Sequence, residues 1–461
     1  MSDTGFDATL RTLAAHTLSV TRERLTPAAL HATKTLLADS IACAVGAYEA
    51  EPCVVSRELA RESQGRMTAR LIGCGSPTTM EMACFANSVM LRYLDFNDTY
   101  TSVGEGHASD MLPAPLALAE GLGASGMDAL VGIAAGCEIF GLCTDTFGLA
   151  ERGWDHGFFI VLASVAAAGS LLRLDEAQLC NAFAIAASAN VPTRQTRRGE
   201  LSMWKGCATA ASAREGLFAA LLAQRGMTGP PRAFEGRHGV FDQVTGPFIL
   251  PPVQASPGRF GVERTGLKWY PTEYHSHVPL AMVQQLRTRV ALQDIERIHV
   301  ETYQRGWSEV GDEPERWDPR TRETADHSLP FMLAAILADG ELTLESFREA
   351  RIADPELRPI MRRISVSENP EFTRMFPRKL HARVTITARD GSTHSAEADY
   401  PRGHQFDPLT GQEADAKFDA LCVPLMGQVR SRELREAIHS LDSAPGLEKM
   451  MDLAAFDARP C

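Results

Sequence analysis

The feature that most limits the fold is the helical spacing of apolar residues through the first half of the chain. Apolar side chains recur every three or four residues in LHATKTLLADSIACAVGAY, and Thr26 and Pro27 before it are typical of a helix start. The stretches that follow Asp128 and Phe158 are apolar on almost every face, which is typical of buried helices. Residues 1–225 therefore predict an α-helical bundle whose central helices are buried.

The pattern changes twice after this helical half. Residues 226–261 contain thirteen Gly or Pro in thirty-six positions, which predicts a connector without regular elements. Farther on, IERIHVETY predicts a strand, and LHARVTITARDGSTHSAEADY predicts a hairpin that turns at Asp-Gly. The predicted fold class is α plus α+β. Residues 1–265 and 404–461 form a large helical domain in this prediction, and residues 266–403 form a smaller α+β domain.

A polar cluster lies between two apolar helical segments in LRYLDFNDTYTSVGEGHASDMLP. Asp95 and Thr99 follow the first segment, and His107 comes just before the second, for which Ser109 and Asp110 are typical N-caps. Backbone N–H groups and the dipole at a helix N-terminus favour anions. These residues alone leave two interpretations open, an active-site loop or an ordinary helix–loop–helix corner.

A basic segment follows in PTRQTRRGELSMWKG, which contains Arg194, Arg197, Arg198 and Lys205. The chain as a whole has a net charge of −12, which argues against a nucleic-acid partner. The segment either binds a small anionic substrate or is a solvated basic loop. Lys205 begins an Ala-rich helix, and a lysine that is partly buried there requires an anionic partner.

A third polar stretch, LKWYPTEYHSH, contains Lys268, Tyr270, Glu273, His275 and His277. The two histidines are candidate metal ligands, but their spacing does not suit one helix face and no third ligand is evident. We therefore predict no metal site. The histidines are expected to lie on either side of a helix start, with one of them facing the junction between the domains.

Several function classes lack their motifs in this sequence. It has no P-loop, no GxGxxG after a strand, no GxSxG elbow and no HExxH. The ten cysteines form no CxxC pair, which predicts reduced thiols without a zinc or iron–sulfur site. The N-terminus lacks signal-peptide features, and no apolar run is expected to span a membrane, so a cytoplasmic protein is predicted. The side chains that remain as candidates are His, Asp, Lys, Arg and Tyr, which are suited to acid–base chemistry on an anionic substrate without a cofactor.

Together the three stretches resemble the MmgE/PrpD family. The resemblance covers roughly residues 8–425, and its most specific parts are LRYLDFNDTY with GHASD, TRRGELSMWKG, KWYPTEYHSH, HSLPFMLA and YPRGH. It implies a large helical domain, made from the N-terminal part and the returning C-terminal tail, with a smaller α/β lid inserted between them. It also implies a substrate pocket between the two domains and a homodimer.

The resemblance places the family's pocket positions at Asp95, Thr99, His107, Lys205 and Lys268. It further implies a lyase of the 2-methylcitrate dehydratase type, which removes water from a hydroxy tricarboxylate. In our interpretation His107 performs the acid–base work, and Asp95 orients it or acts as its partner. The two lysines hold the substrate carboxylates and offset the charge of an enolate-like state.

Five further residues are candidates for this site. Tyr270 or Glu273 would supply the second proton-transfer group, and sequence alone does not decide which group is the acid and which is the base. Arg197, Arg198 and His275 would help to bind the substrate, as Glu273 would if it is not the second proton-transfer group.

Three positions differ from the pattern of the decarboxylase branch of the family. Glu273 and Ala208 stand where that branch has histidines, and Phe331 stands where it has a tyrosine. These differences disfavour decarboxylation. A dicarboxylate epimerase, an enzyme similar to cis-aconitate decarboxylase and a polycarboxylate-binding protein without catalytic activity stay open as alternatives.

Overall fold

Helices fill the N-terminal half of the computed structural model, which describes residues 5–254 and 258–457. They are α1 (Ala8–Ser19), α2 (Pro27–Gly46), α3 (Glu51–Arg61), α4 (Met80–Tyr93), α5 (Pro113–Leu122), α6 (Gly126–Thr146), α7 (Gly157–Leu171), α8 (Glu176–Ala189) and α9 (Ala208–Gln224). The helix start predicted at Thr26 is confirmed, because its hydroxyl accepts the Ala29 N–H at 3.0 Å. Gly123 ends α5 in the left-handed conformation that glycine adopts without strain.

The central helices are buried, as their uniform apolar composition predicts. Every residue of α7 from Gly157 to Gly169 is buried, and this helix packs against α6 and α9. By length and composition alone α6 is apolar enough to cross a membrane, contrary to the expectation that no apolar run is. However, 78% of its most apolar window is buried inside the protein, as in the core helix of a bundle.

Short strands border the polar cluster of the first half. They are β1 (Thr68–Arg70), β2 (Pro77–Thr79), β3 (Asp98–Thr101), β4 (Glu105–Gly106) and β5 (Gly266–Leu267). Strand β3 pairs antiparallel with β4 and with β5, so that Asp98 lies opposite Leu267. This pairing brings the polar loop before β3 next to Lys268, although the two are far apart in sequence.

The predicted N-caps of the helix after His107 are wrong. Residues Ala108–Met111 form a 3-10 turn, and α5 begins only at Pro113, whose fixed φ suits a first helical position. The side chain of Asp110 instead accepts a hydrogen bond from Asn97 at 2.9 Å. The backbone N–H of Ser109 donates to Asp98 Oδ1 at 3.1 Å. These contacts fix the loop around His107.

A mixed region follows the Gly- and Pro-rich connector. Its elements are α10 (His277–Leu286), β6 (Ile295–Thr302), α11 (Gln304–Val310), α12 (Arg322–Ala325), α13 (Leu329–Asp339), α14 (Glu349–Ile352), α15 (Leu357–Met361), β7 (Ile364–Glu368), α16 (Pro370–Met375), β8 (Ala382–Ala388) and β9 (Thr393–Ala398). The sheet order is β7-β6-β8-β9, with β6 parallel to β7 and antiparallel to β8. The predicted strand is β6, and the predicted hairpin is β8 with β9.

The C-terminal tail is helical again, with α17 (Gly411–Met426), α18 (Gln428–His439) and α19 (Glu448–Ala454). Helix α17 packs on α2, and the tail shares one hydrophobic cluster with the nine N-terminal helices of the described chain. A second cluster joins α10 and α13 to the sheet. Leu267 packs on the first cluster and Tyr270 belongs to the second. One cluster thus belongs to an all-helical region and the other to a region of helices and a sheet, in agreement with the predicted mixture of α and α+β structure. The division into a helical domain and an inserted lid stays a prediction.

The prediction of reduced thiols holds for eight cysteines, which are free and buried: Cys43, Cys53, Cys84, Cys137, Cys143, Cys180, Cys207 and Cys422. It is wrong for Cys74, which is disulfide-bonded. Cys461 lies outside the described residues.

Candidate active site

A polar cavity lies where the loop around β3 and β4 meets the α10–α13 region. Its lining combines basic, acidic and imidazole side chains with two threonines, a tyrosine and a glycine: Arg92, Asp95, Thr99, Thr101, Glu105, Gly106, His107, His156, Arg194, Arg197, Lys268, Glu273, Tyr274, His275, Glu309 and His327. Seven of the predicted site residues line it: Asp95, Thr99, His107, Arg197, Lys268, Glu273 and His275. Three polar stretches that are distant in sequence therefore meet in one place.

Asp95 is the charge centre of the cavity floor. Its backbone is left-handed, with φ 51°, a conformation that aspartate tolerates better than most residues. Its carboxylate contacts the Lys268 ammonium, Arg92 Nη1 at 2.8 Å and Lys205 Nζ at 3.1 Å. Burial alone would raise the pKa of Asp95, but Arg92, Lys268 and Lys205 together hold that pKa well below its usual range. Asp95 is therefore an anion that orders three cations.

His107 is buried and neutral. Its Nδ1 atom lies 2.6 Å from the backbone oxygen of Asp98. A carbonyl oxygen only accepts hydrogen bonds, so Nδ1 carries the proton and Nε2 keeps its lone pair. Nε2 has no hydrogen-bond partner in the described part of the chain. Burial, followed by the charges of Arg92 and Lys268, lowers the pKa of His107 well below its usual value. The ring can therefore accept a proton at Nε2.

Lys205 lies behind the cavity wall and not on it. Its Nζ atom contacts both carboxylate oxygens of Asp326, at 2.6 and 2.7 Å, in addition to Asp95. The ligand atoms of Asp95, Asp326 and His327 are close enough together to hold a metal ion. The Lys205 ammonium already contacts both of these carboxylates and compensates their charge. Lys205 thus finds the anionic partner that its position requires, but within the protein.

The basic segment divides into residues on the cavity and residues beside it. Arg197 lines the cavity. It donates hydrogen bonds to Asp155 Oδ2 at 2.9 Å and to the Lys205 carbonyl at 2.8 Å. Arg194 also lines it and donates to Glu309 Oε1 at 2.5 Å. The predicted binding residue Arg198 is not in the lining; it donates to the Ser308 carbonyl at 3.0 Å and holds the segment against α11.

The three arginines of the lining share one further property. Arg92, Arg194 and Arg197 each have a buried nitrogen that lacks a hydrogen-bond partner within the described residues. Leaving a buried donor unpaired costs about 1–3 kcal/mol. Such groups at a cavity are typical of a site that binds an acceptor-rich ligand.

Glu273 and His275 are neighbours in the cavity lining. Glu273 Oε2 accepts the backbone N–H of His275 at 2.7 Å. Burial raises the pKa of Glu273 to about 6, although the neighbouring His275 opposes this shift. Burial would lower the pKa of His275, but Glu273 and Glu105 raise it above its usual value. Both ring nitrogens of His275 are engaged, since Nε2 lies 3.0 Å from Glu105 Oε2 and Nδ1 contacts the Tyr303 hydroxyl.

Tyr270 does not contribute to the cavity lining, contrary to our catalytic assignment. Its hydroxyl donates to Gln284 Oε1 at 2.7 Å, and its ring packs in the second hydrophobic cluster. Phe331 lies in the same cluster, and Ala208 is also absent from the lining. Of the three positions that distinguish the decarboxylase branch, Glu273 is thus the one that borders the cavity in the described structure.

Nine lining residues were not among the predicted site residues: Arg92, Thr101, Glu105, Gly106, His156, Arg194, Tyr274, Glu309 and His327. His327 lies within HSLPFMLA and Glu105 lies between the glycines before His107, so the motifs did carry a signal for these two. Arg92 and Glu309 sit on helices α4 and α11 with ordinary composition. Only the folded structure shows that their charges are buried.

Comparisons with known proteins identify the family of this chain. The chain matches the MmgE/PrpD N-terminal domain over residues 11–251 and the MmgE/PrpD C-terminal domain over residues 270–443. It is 27% identical to 2-methylcitrate dehydratase of Cupriavidus necator over 73% of this chain and 74% of that protein. It is 26% identical to cis-aconitate decarboxylase of Homo sapiens over 73% of this chain and 72% of that protein, and 26% identical to cis-aconitate decarboxylase of Aspergillus terreus over 92% and 91%. The two family domains together cover most of the sequence, and the chain therefore belongs to the MmgE/PrpD family.

Proposed function

We propose that this protein is a lyase of the 2-methylcitrate dehydratase type, which removes water from a hydroxy tricarboxylate such as 2-methylcitrate or citrate. The observation that carries the proposal is the tautomer of His107. Its Nδ1–H is fixed on the Asp98 carbonyl, which leaves Nε2 free to take a proton inside a cavity rich in cationic groups. The relatives named above are one dehydratase and two decarboxylases.

The cavity lining offers the substrate carboxylates four cationic groups. Arg92, Arg194 and Arg197 each have a buried nitrogen without a hydrogen-bond partner among the described residues, and Lys268 supplies an ammonium that already contacts Asp95. Guanidinium groups match the geometry of carboxylates and retain their charge when buried. These four cations support a substrate with several carboxylates over one that is neutral.

In the proposed reaction His107 Nε2 removes a proton from the carbon next to a substrate carboxylate. The C–H electron pair forms the new C=C bond, and the C–O bond to the hydroxyl group breaks. The negative charge of the bound substrate raises the proton affinity of His107 during this step. The Lys268 ammonium offsets the charge that develops on the carboxylate.

The departing hydroxide needs a proton, and Glu273 is the proposed donor. Its raised pKa of about 6 keeps part of the population protonated near neutral pH, whereas an ordinary glutamate would be ionised. His275 holds Glu273 through its backbone N–H and has both ring nitrogens engaged. Lys205 acts indirectly, because it holds Asp95 in place together with Lys268. The products are an unsaturated tricarboxylate and water.

A substrate panel tests the proposal. Purified protein is incubated in deuterated water with 2-methylcitrate, citrate, isocitrate, cis-aconitate and iminodisuccinate, and the products are followed by NMR. We expect an alkene signal from one of the hydroxy tricarboxylates. Release of carbon dioxide from cis-aconitate would instead identify a decarboxylase, and deuterium uptake without an alkene would identify an epimerase. Binding without any reaction would overturn the proposal in favour of a polycarboxylate-binding protein.

Three further properties stay predictions. We expect the protein to be a homodimer, to act without a cofactor and to reside in the cytoplasm. The absence of a cofactor is expected because the proposed mechanism uses only side chains of this chain. Light scattering of the purified protein measures the oligomeric state directly.

A further inference from the structure

A buried lysine of the returning tail reaches the backbone of the cavity floor from behind. Lys417 of α17 is 7% exposed, and its Nζ atom donates to the carbonyl oxygens of Phe96 at 2.6 Å and Lys268 at 3.0 Å. Its third neighbour is Asp39 Oδ1 of α2, at 2.7 Å. An ammonium group has three N–H donors. Each of them therefore has one acceptor, and each acceptor belongs to a different segment of the chain.

The two carbonyl groups belong to the segments that place Asp95 and Lys268. Phe96 directly follows Asp95, whose left-handed backbone sets the direction of its carboxylate. The carbonyl of Lys268 belongs to the residue whose ammonium contacts that carboxylate. Holding both carbonyls on one nitrogen atom fixes the distance between the two segments. Lys417 itself is not part of the cavity lining.

Helix α17 could be attached to α2 without a buried ion pair between Lys417 and Asp39. Burying an ammonium and a carboxylate is costly, and apolar residues of similar size would often pack as well or better. Lys417 also lies 4.0 Å from the centre of the Phe96 ring, so the same nitrogen contacts this residue twice. The retention of a fully coordinated buried ammonium behind the cavity thus points to a need for fixed geometry.

We propose that Lys417, anchored by Asp39, is a positioning residue that fixes the Asp95 carboxylate and the Lys268 ammonium relative to each other. Its consequence for catalysis rests on the proposed function, but the positioning itself is measurable without turnover. Misplacement of a catalytic group by about 1 Å can lower a rate by roughly 100-fold. Lys417 would therefore act on the reaction without touching the substrate.

The chain offers a matched control for the loss of this ion pair. Lys34 of α2 lies 2.9 Å from Asp442 in the tail, so this pair also joins α2 to the tail. The side chains of Lys34 and Asp442 are 15% and 32% exposed, and neither residue lines the cavity. Lys34→Met removes a lysine from the same junction without disturbing the backbone of the cavity floor.

The experiment compares Lys417→Met, the double variant Lys417→Met/Asp39→Asn and Lys34→Met with the unmodified protein. The double variant avoids an unpaired buried carboxylate, which by itself is able to prevent folding. Hydrogen–deuterium exchange is followed by mass spectrometry in peptides that cover residues 95–101 and 266–270. We expect faster exchange in these peptides in both Lys417 variants, and exchange like that of the unmodified protein in Lys34→Met.

The kinetic arm uses the acid that the unmodified protein converts. We expect kcat to fall at least about tenfold in the Lys417 variants while KM changes less than about threefold, since Lys268 acts mainly on the charge that develops in the transition state. A general loss of tail packing would act on Lys34→Met as well and would not produce this split between kcat and KM.

Each contrary outcome has a distinct meaning. Unchanged exchange at residues 95–101 and 266–270 would overturn the positioning role, whether or not the protein turns over any acid. Faster exchange with kcat equal to that of Lys34→Met would overturn its catalytic consequence. If the unmodified protein converted none of the acids, the proposed function would fail and the exchange data would decide the positioning. Loss of the folded state in the double variant would show that Lys417 serves folding, and would also overturn the inference.

Discussion

In His107 one ring nitrogen sets the orientation and the other performs the proposed chemistry. Nδ1 donates a hydrogen bond to the Asp98 carbonyl, and Nε2 is the proposed base. His107→Asn places an amide N–H near the former Nδ1 position and removes the basic nitrogen. We expect kcat to fall by about 10²–10⁴-fold, the usual contribution of a positioned general base. The thermal unfolding midpoint should stay close to that of the unmodified protein, because the hydrogen bond to Asp98 is kept. Turnover within a few-fold of the unmodified value would remove His107 from the role of base.

A second prediction at the residue scale concerns the pH dependence set by Glu273. Its pKa is raised to about 6, so the protonated acid dominates below that pH and is lost as pH rises through it. We therefore expect kcat/KM to decrease about tenfold per pH unit on the alkaline side. Glu273→Gln should lower kcat and abolish this alkaline limb. An unchanged limb in the glutamine variant would assign the proton to another group.

The sequence was most informative where residue identity and motif coincide. Asp95, Thr99, His107 and Lys268 all line the cavity, and three of them lie within the motifs LDFNDT and GHASD. The sequence was least informative about the direction in which a side chain points. Lys205 points behind the wall towards Asp326, because its helix start is covered by the α12–α13 turn.

At the scale of elements, the close contact between β5 and the segment after β9 involves two glycines, Gly266 and Gly403, of which Gly403 is the more crowded. Gly403 has φ 91°, and a Cβ atom there would lie 1.8 Å from the Leu267 carbonyl oxygen. Gly403→Ala is therefore expected to lower the free energy of unfolding by about 3 kcal/mol or more, through strain and steric overlap together. Chemical denaturation followed by circular dichroism measures this difference.

The hairpin turn provides the control for Gly403. Gly391 has a similar φ of 85°, but a Cβ atom there would meet nothing within 4 Å. Gly391→Ala should cost only about 1–2 kcal/mol, the usual penalty of a left-handed backbone. Equal losses in the two alanine variants would contradict the close approach of the backbone to Leu267.

Elements with a clear apolar period could be predicted, and those governed by tertiary contacts could not. The strand β6 and the hairpin of β8 with β9 follow from alternation in sequence. The strands β3, β4 and β5 are two to four residues long and exist because distant segments pair with one another. No local pattern distinguishes residues of that kind from a loop.

At the scale of the whole molecule, the two hydrophobic clusters predict how fragments behave. Residues 266–403 contain the second cluster with its sheet, so this fragment expressed alone should unfold cooperatively in urea. Residues 1–265 lack α17, which covers α2, and should aggregate unless residues 404–461 are supplied. Analytical size exclusion and circular dichroism measure both results. A soluble, folded 1–265 fragment would show that the tail is dispensable for the helical domain.

The cavity carries its own counterions. Four basic side chains in the lining (Arg92, Arg194, Arg197 and Lys268) are matched by four carboxyl groups (Asp95, Glu105, Glu273 and Glu309). A polyanion that enters therefore meets a lining whose charges already compensate one another, and it gains by accepting from the nitrogens of Arg92, Arg194 and Arg197 that have no hydrogen-bond partner among the described residues. A monocarboxylate reaches few of these donors at once, whereas a tricarboxylate reaches several. Selection for the number of substrate charges follows from this difference, before any single contact recognises the shape of the acid.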